Sequence, residues 1–330
     1  MRIAVTGSIA TDNLMTFPGR FTDQLIPDQL DRVSLSFLVD ELDIRPGGVA
    51  GNICFGMGSL GKASILVGAV GADFADYRSW LERHGVDTAS VHVSELRHTA
   101  RFLCTTDEDQ NQIATFYAGA MSEARRIELQ PVADRVGGLD LVLISPNDPE
   151  AMLRHTDECR YRKIPFAADP SQQLARMGSE DGDDVRRLID GAAYLFTNEY
   201  EKALAEEKSG WTDAEILDRV QVRITTLGAK GVVIDRKGEE GLHVPGVKVD
   251  KVVDPTGGGD AFRSGFLSAI AWGLPLERAA QVGNTIAAHV LEVAGPQEYT
   301  LTNTGFLSRL SATYGADAAA EVQPHLACAS

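Results

Sequence analysis

The chain has 330 residues and a formal net charge of −16. Its 44% hydrophobic and 24% charged content belongs to a globular protein with a sizeable core and excludes a disordered chain. The acidic balance argues against nucleic acid or an anionic membrane as partner; an anionic substrate must be met locally by amides, Arg/Lys or Mg²⁺. In chain order, "RIAVTG" from Arg2 reads as a buried strand, and Thr6, Gly7, Ser8 and Asp12 break the N-terminal apolar run before a signal segment can form. "GGVAGNICFGMGSLG" reads as a helix rich in small residues, followed by the strand "ASILVGAV" and an amphipathic helix, "DFADYRSWLERHG", that ends at Gly85. The short apolar runs "LDLVLIS", "IPFAADP", "AAYLFTN" and "VRITTLG" alternate with helical patterns over 149–162, 182–190 and 212–219. Helices over 258–274, 275–294 and 303–315 complete the chain, and the tail after about residue 322 reads as frayed.

Strands alternating with helices predict a doubly wound α/β fold with a mostly parallel sheet, spanning 1–330. Two segments break the alternation. "RVSLSFLVDELDI" has the period of a half-buried strand, and "HTARFLCTTDEDQNQIATFYAG" reads as a hairpin turning at 107–111, with Phe102 and Phe116 paired on one face. They predict a small inserted β lid drawn from about 11–18, 33–45 and 91–118, of the kind that excludes water from reactive phosphates. No apolar stretch reaches the ~18 residues of a membrane span. Cys54, Cys104, Cys159 and Cys328 form no C-x-x-C pair and no zinc spacing with His, as expected of free thiols in a cytoplasmic protein.

"GMGSLGKA" at 56–63 matches G-x-G-x-x-G and nearly a Walker A loop. Phosphate loops of those kinds follow a strand and open a helix. Here a helix leads into a strand, and Ala63 replaces the Ser/Thr that would bind Mg²⁺. Gly56 then serves close helix packing, and Gly58 and Gly61 end the helix.

"DPTGGGDAFRSGF", Asp254 to Phe266, has the right order: a strand-like end, three glycines, then an apolar helix. The amides of Gly257, Gly258, Gly259 and Asp260 would point out of a helix N-terminus, where unpaired N–H groups and the macrodipole favour negative charge. Phosphoryl transfer needs such a cradle. Asp260 could cap the helix; a carboxylate beside an anion hole can also take the proton of an accepting hydroxyl.

This stretch resembles the C-terminal signature of the ribokinase-like carbohydrate kinases, the PfkB family. "GGVAGN" (Gly47 to Asn52), "NEYE" (Asn198 to Glu201), "TLGAKG" (Thr226 to Gly231) and "GSIATD" (Gly7 to Asp12) resemble further family motifs in the family's order. Gly258 departs from it, since Ala or Val is more usual there. Within the family the chain is most similar to bacterial adenosine kinases, on stretches that include "VSLSFLVD", "HTARF", "YAGAMSEAR" and "FAADPSQQLAR". That resemblance implies ATP as donor, the 5′-hydroxyl of adenosine as acceptor, Mg²⁺, room for K⁺ near the anion hole, and a homodimer formed through the lid.

It also implies roles. Asp260 would be the base, and Gly257, Gly258 and Gly259 the anion hole. Asp12, Gly48 and Asn52 would hold the ribose hydroxyls, with Ser8, Ser36, Gln172 and Gln173 near the nucleoside and Phe102 and Phe116 covering the purine. Arg176 would reach the donor phosphates. Asn198, Thr226, Gly228 and Gly231 would serve ATP, and Glu201 hydrated Mg²⁺. Plainer readings stay open: Phe102 and Phe116 as lid core, Gln172 and Gln173 as loop polars, and Asn198 with Glu201 as a capping box. A kinase for a sugar or another nucleoside, and a sensor that kept the fold without the chemistry, are the competing functions.

Overall fold

The computed structural model describes residues 1–24, 36–177 and 182–328. Runs such as Ile3–Thr6 and Leu141–Ile144 are buried along their whole length, as parallel strands covered on both faces must be. Among the described residues, nine strands form one sheet. Their spatial order is Leu242–Val244, Val232–Asp235, Val222–Thr226, Tyr194–Asn198, Phe166–Ala168, Leu141–Ile144, Ile3–Thr6, Ser64–Val67 and Val86–Asp87. All neighbours are parallel except Val232–Asp235, which runs against both of its neighbours. This is the doubly wound sheet expected, with an antiparallel edge that the short segments "VVID" and "LHV" did not announce.

Alternate strand residues feed opposite cores. Ile3, Val5, Leu141 and Leu143 join the layer of the helices Val49–Ser59, Gly258–Ala271 and Leu276–Leu291. Ala4, Val142 and Ile144 join the layer of Leu129–Val136, Pro149–Arg162 and Asp183–Ile189. Gly56 lies where a Cβ would meet Ser264 Oγ at 2.3 Å; its motif therefore packs the helix Val49–Ser59 onto Gly258–Ala271 and cradles no phosphate.

From Ile3–Thr6 the chain passes to one side of the sheet, returns at Leu141–Ile144, and continues to the other. Open α/β sheets bind ligands in the crevice at the carboxyl ends of strands where the order reverses. Ser8 and Pro146 lie beyond those two ends, joined by a 2.8 Å bond from the Ser8 amide to the Pro146 carbonyl.

A second sheet, in the order Glu41–Gly47, Ala10–Thr16, Ala100–Thr106 and Gln112–Tyr117, stands over this crevice. Its register sets Arg45, Asp12, Phe102 and Phe116 side by side in one row across the four strands. Three sequence-based expectations change here. The strand read from Arg32 begins at Glu41; residues 32–35 lie outside the described ones, and Phe37 packs on the rings of Phe17 and Phe21 instead of joining a ladder. His92–Ser94 pairs with Ala69–Gly71, apart from this sheet. The tail after residue 322 is not frayed as far as Cys328: Leu326 is buried, the Ala327 amide donates to Leu60, and the Cys328 amide donates to Asn303 Oδ1.

Candidate active site

A cavity of about 770 Å³ occupies the crevice. Its roof is the inner face of the small sheet, where Ala10, Asp12 and Leu14 point down at strand period, with Arg45, Phe102 and Phe116 beside them. Its floor carries Asn52, Asp254, Thr256 and Asp260. Ser8, Gly48, Gln172, Gln173 and Arg176 complete the set of expected residues that line it. Ser36 does not: it is exposed and lies outside the lining.

The glycine stretch meets the floor through its two ends, Thr256 and Asp260, while Gly257, Gly258 and Gly259 between them do not line the cavity. Gly257 is the N-cap in the left-handed region, at φ 80°, and a Cβ there would meet Pro296 Cβ at 2.5 Å, so glycine alone suits the turn. Gly258 begins the helix, and Ala261 is the residue whose amide first reaches back four places, to the Gly257 carbonyl at 2.8 Å. The amides of Gly259 and Asp260 precede that bond, at the positive end of the dipole. The Gly258 amide makes only a long contact, 3.4 Å, with the Pro255 carbonyl. Beneath them Arg263 binds the buried Asp169 through Nε and a terminal nitrogen, at 2.5 and 2.6 Å, and donates to the Gly259 carbonyl at 3.0 Å.

Asp260 Oδ2 accepts from Asn52 Nδ2 at 2.8 Å. Burial raises the Asp260 carboxyl to about 6, against the Asn52 hydrogen bond and the Arg263 charge, which both lower it. Asp12 is likewise raised to about 6 by burial, with Arg45 opposing and Asp254 adding to the rise. Asp254 goes the other way. Partial burial would raise it, but the amides of Thr256 and Gly295, at 2.9 and 3.0 Å, hold it low.

Several expected residues are already engaged. Ser8 Oγ accepts from the Val49 amide at 3.0 Å, opening the helix Val49–Ser59. Gln172 is exposed and accepts from Ser171 Oγ. Gln173 lines the cavity but is only 4% exposed, and its Oε1 is buried without a hydrogen-bond partner. Asn198 and Glu201 form a capping box, with Asn198 Oδ1 accepting from the Glu201 amide at 2.8 Å and Glu201 Oε2 from the Asn198 amide at 2.9 Å. Asn198 pairs with Thr226 across adjacent strand ends, and Gly228 and Gly231 shape the turn that follows; none of these lines the cavity. Sequence reasoning missed Arg45, Met121, Gly295 and Pro296 as lining residues. The "RPGG" run placed Arg45 next to a motif already read, whereas the Gly295–Pro296 turn meets the floor only through the tertiary fold.

Residues 11–303 match the family described as pfkB family carbohydrate kinases, and the chain belongs to that family. Its neighbours there are nucleoside kinases of the ribokinase family. A nucleoside kinase of Methanocaldococcus jannaschii is 33% identical over 253 residues, 76% of this chain and 80% of that one. The ligand-free nucleoside kinase of Burkholderia thailandensis superimposes with a TM-score of 0.84 at 35% identity, over 93% of this chain and 99% of its own. The same kinase in complex with inosine gives 0.81 at 34% identity, over 95% and 99%. A cytidine kinase of Thermococcus kodakarensis is 26% identical over 265 residues, 78% of this chain and 91% of that one.

Proposed function

We propose that this kinase transfers the γ-phosphoryl group of ATP to the 5′-hydroxyl of adenosine, giving AMP and ADP. The observation that carries the reading is Asp260, held by Asn52 at the start of the glycine helix, on the floor of a cavity roofed by a Phe pair. Asp260 takes the hydroxyl proton as the oxygen attacks phosphorus. The Gly257–Gly259 turn and the amides that follow it hold the phosphoryl charge, and Arg176, exposed at the cavity rim, meets the donor phosphates. Asp12, Gly48 and the second Asn52 N–H hold the ribose hydroxyls. Phe102 and Phe116 cover the base, with the Gln173 amide beside it.

Asn198, Thr226, Gly228 and Gly231 serve ATP from the neighbouring strand ends. Among the described residues, no group of three or more His, Cys, Asp or Glu side chains could hold a metal ion directly. Glu201, 9% exposed, spends one carboxylate oxygen on the Asn198 amide and keeps the other. A lone carboxylate of this kind fits Mg²⁺ brought in by phosphates and held through water. When bound, that ion neutralises phosphate charge during transfer.

A second reading, another nucleoside as preferred acceptor, has specific support: the Burkholderia relative is described with inosine and the Thermococcus relative as a cytidine kinase. An amide such as Gln173 can present oxygen or nitrogen to a base. Incubation with Mg-ATP and, separately, adenosine, inosine, guanosine, cytidine, ribose and fructose, with ADP release measured against identified product, decides between them. AMP above every other product is the expected result. A different nucleoside monophosphate keeps the chemistry and moves the substrate, and phosphorylated sugar alone removes the role given to the Phe pair.

A further inference from the structure

Behind Asn52 runs a line of buried hydrogen bonds that phosphoryl transfer does not consume. Trp80 Nε1 donates to Gln297 Oε1 at 3.0 Å. Gln297 Nε2 donates to Asn52 Oδ1 at 2.9 Å and to the Tyr77 hydroxyl oxygen at 2.7 Å. Tyr77 gives its hydroxyl hydrogen to the Gly47 carbonyl at 2.9 Å. The line ends with Asn52 Nδ2 donating to Asp260 Oδ2 at 2.8 Å.

The direction of every bond is forced. An indole N–H only donates, so Gln297 turns its oxygen to Trp80 and its nitrogen to Asn52. Asn52 then turns its oxygen to Gln297 and its nitrogen to Asp260. Tyr77, its one hydrogen already committed to Gly47, accepts from the same Gln297 nitrogen and enforces the same sense. The arrangement is built in and shielded. Tyr77 and Trp80 stand three apart on one face of the helix Ala75–Arg83, Gln297 is 1% exposed, and Trp80 stacks on Phe55. Gly51 makes room for it, since a Cβ there would sit 2.2 Å from the Tyr77 hydroxyl.

We propose that Trp80 and Gln297 are positioning residues that keep the nitrogen of the Asn52 amide, and not its oxygen, against Asp260. The inference rests on the reading of Asp260 as the base. An amide flip changes the shape of Asn52 very little, so packing alone does not select the sense. With the relay cut, Asn52 can set its oxygen against a carboxylate oxygen, and Asp260 then keeps its proton instead of accepting one. The other groups that act on Asp260 stay in place: Arg263 on its own helix, Asp169 beyond the strand Phe166–Ala168, Asp12 on the small sheet, and the hydroxyls of Tyr77 and Tyr299.

Three variants of the full chain test this: Gln297→Met, which keeps volume and removes both polar ends; Trp80→Phe, which removes one of the two groups that set the sense; and Gln297→Glu, whose carboxylate would draw Asn52 Nδ2 away from Asp260. The Asp260 carboxyl is followed by NMR titration of aspartate labelled with ¹³C at the carboxyl, its signal assigned by its loss in Asp260→Asn. The midpoint is expected to rise by about one pH unit in Gln297→Met, by less in Trp80→Phe, where Tyr77 still favours the same sense, and by more in Gln297→Glu. The acid limb of kcat/KM should move with it, and turnover should fall about tenfold. A midpoint unmoved in whichever variants melt as folded proteins overturns the inference, whatever happens to the rate. Asp260→Asn itself separates the two claims. If it retains turnover, the base assignment fails; if it is inactive while the midpoint stays put in the relay variants, only the positioning role fails.

Discussion

Asp260 and Asp12 face one cavity with carboxyls raised to about 6, chiefly by burial. As the base of the proposed function, Asp260 must be ionised to accept the hydroxyl proton, so activity should fall as pH drops through about 6. The two carboxyls are separable, because kcat/KM reports groups of the free enzyme and kcat those of the bound complex. Asp12, which the proposed function sets against the ribose, should affect the kcat/KM profile and drop out of kcat. Replacing Asp260 by Asn should cost about 10²–10⁴-fold in turnover and stabilise the fold. The sign follows from linkage: a carboxyl whose folded value is raised above its ordinary 3.8 destabilises the native state increasingly as pH rises from about 4 to about 6, and fully above that. Because the group keeps some surface toward the cavity, the gain at neutral pH should be about 1–2 kcal/mol. It should shrink as pH approaches 4 in thermal melts; a variant no more stable than wild type at neutral pH would show that Asp260 is not strained by burial.

At the scale of elements, the glycine helix and the small sheet make opposite demands on substitution. Gly257 has φ of 80° and Pro296 against it, so Gly257→Ala should lose about 1–2 kcal/mol from backbone strain alone and lose turnover as the amides move. Gly258, the family departure, is helical, and a Cβ there would touch only the Leu291 side chain, Cδ2 at 3.1 Å and Cγ at 3.6 Å. Gly258→Ala should therefore fold with near wild-type stability, because a flexible leucine end can yield, and paired melts and turnover measurements distinguish the two glycines. In the small sheet, Phe102 and Phe116 are opposite one another and both line the cavity. Phe102→Ala should weaken nucleoside binding by about 1–3 kcal/mol, roughly five- to 150-fold, with less effect on the KM for ATP. Phe116, 45% exposed, should sit at the lower end. An unchanged nucleoside affinity in Phe102→Ala would return the pair to lid packing.

Across the whole molecule, what the sequence made legible was local. The Phe102–Phe116 register follows from two alternating runs around a polar turn, and the helix Pro149–Arg162 from its periodicity and N-terminal Pro. What stayed hidden depends on distant segments meeting: Gln297 reaches Asn52 across most of the chain, and the tail is ordered by Leu60 and Asn303. Asn198 and Glu201 show a further limit, since one spacing suits both a capping box and a nucleotide site, and the structure engages them in the capping box. The outer face of the small sheet raises the last question of scale. Opposite to the cavity row lie Leu42, Ile44, Ile113 and Tyr117, 57%, 58%, 45% and 42% exposed, a large apolar share for a sheet face open to water. If two copies cover these faces in each other, as the lid-mediated homodimer implied by the family resemblance requires, light scattering should give twice the chain mass. Ile44→Glu should then yield a monomer that still folds, because its side chain points away from the cavity row. Its nucleoside KM should rise more than its kcat falls, since the roof would lose its support while the floor with Asp260 stays intact. A wild-type protein that remains monomeric at assay concentration, or an Ile44→Glu variant that still dimerises, would take the partner subunit out of the account of how the roof is held.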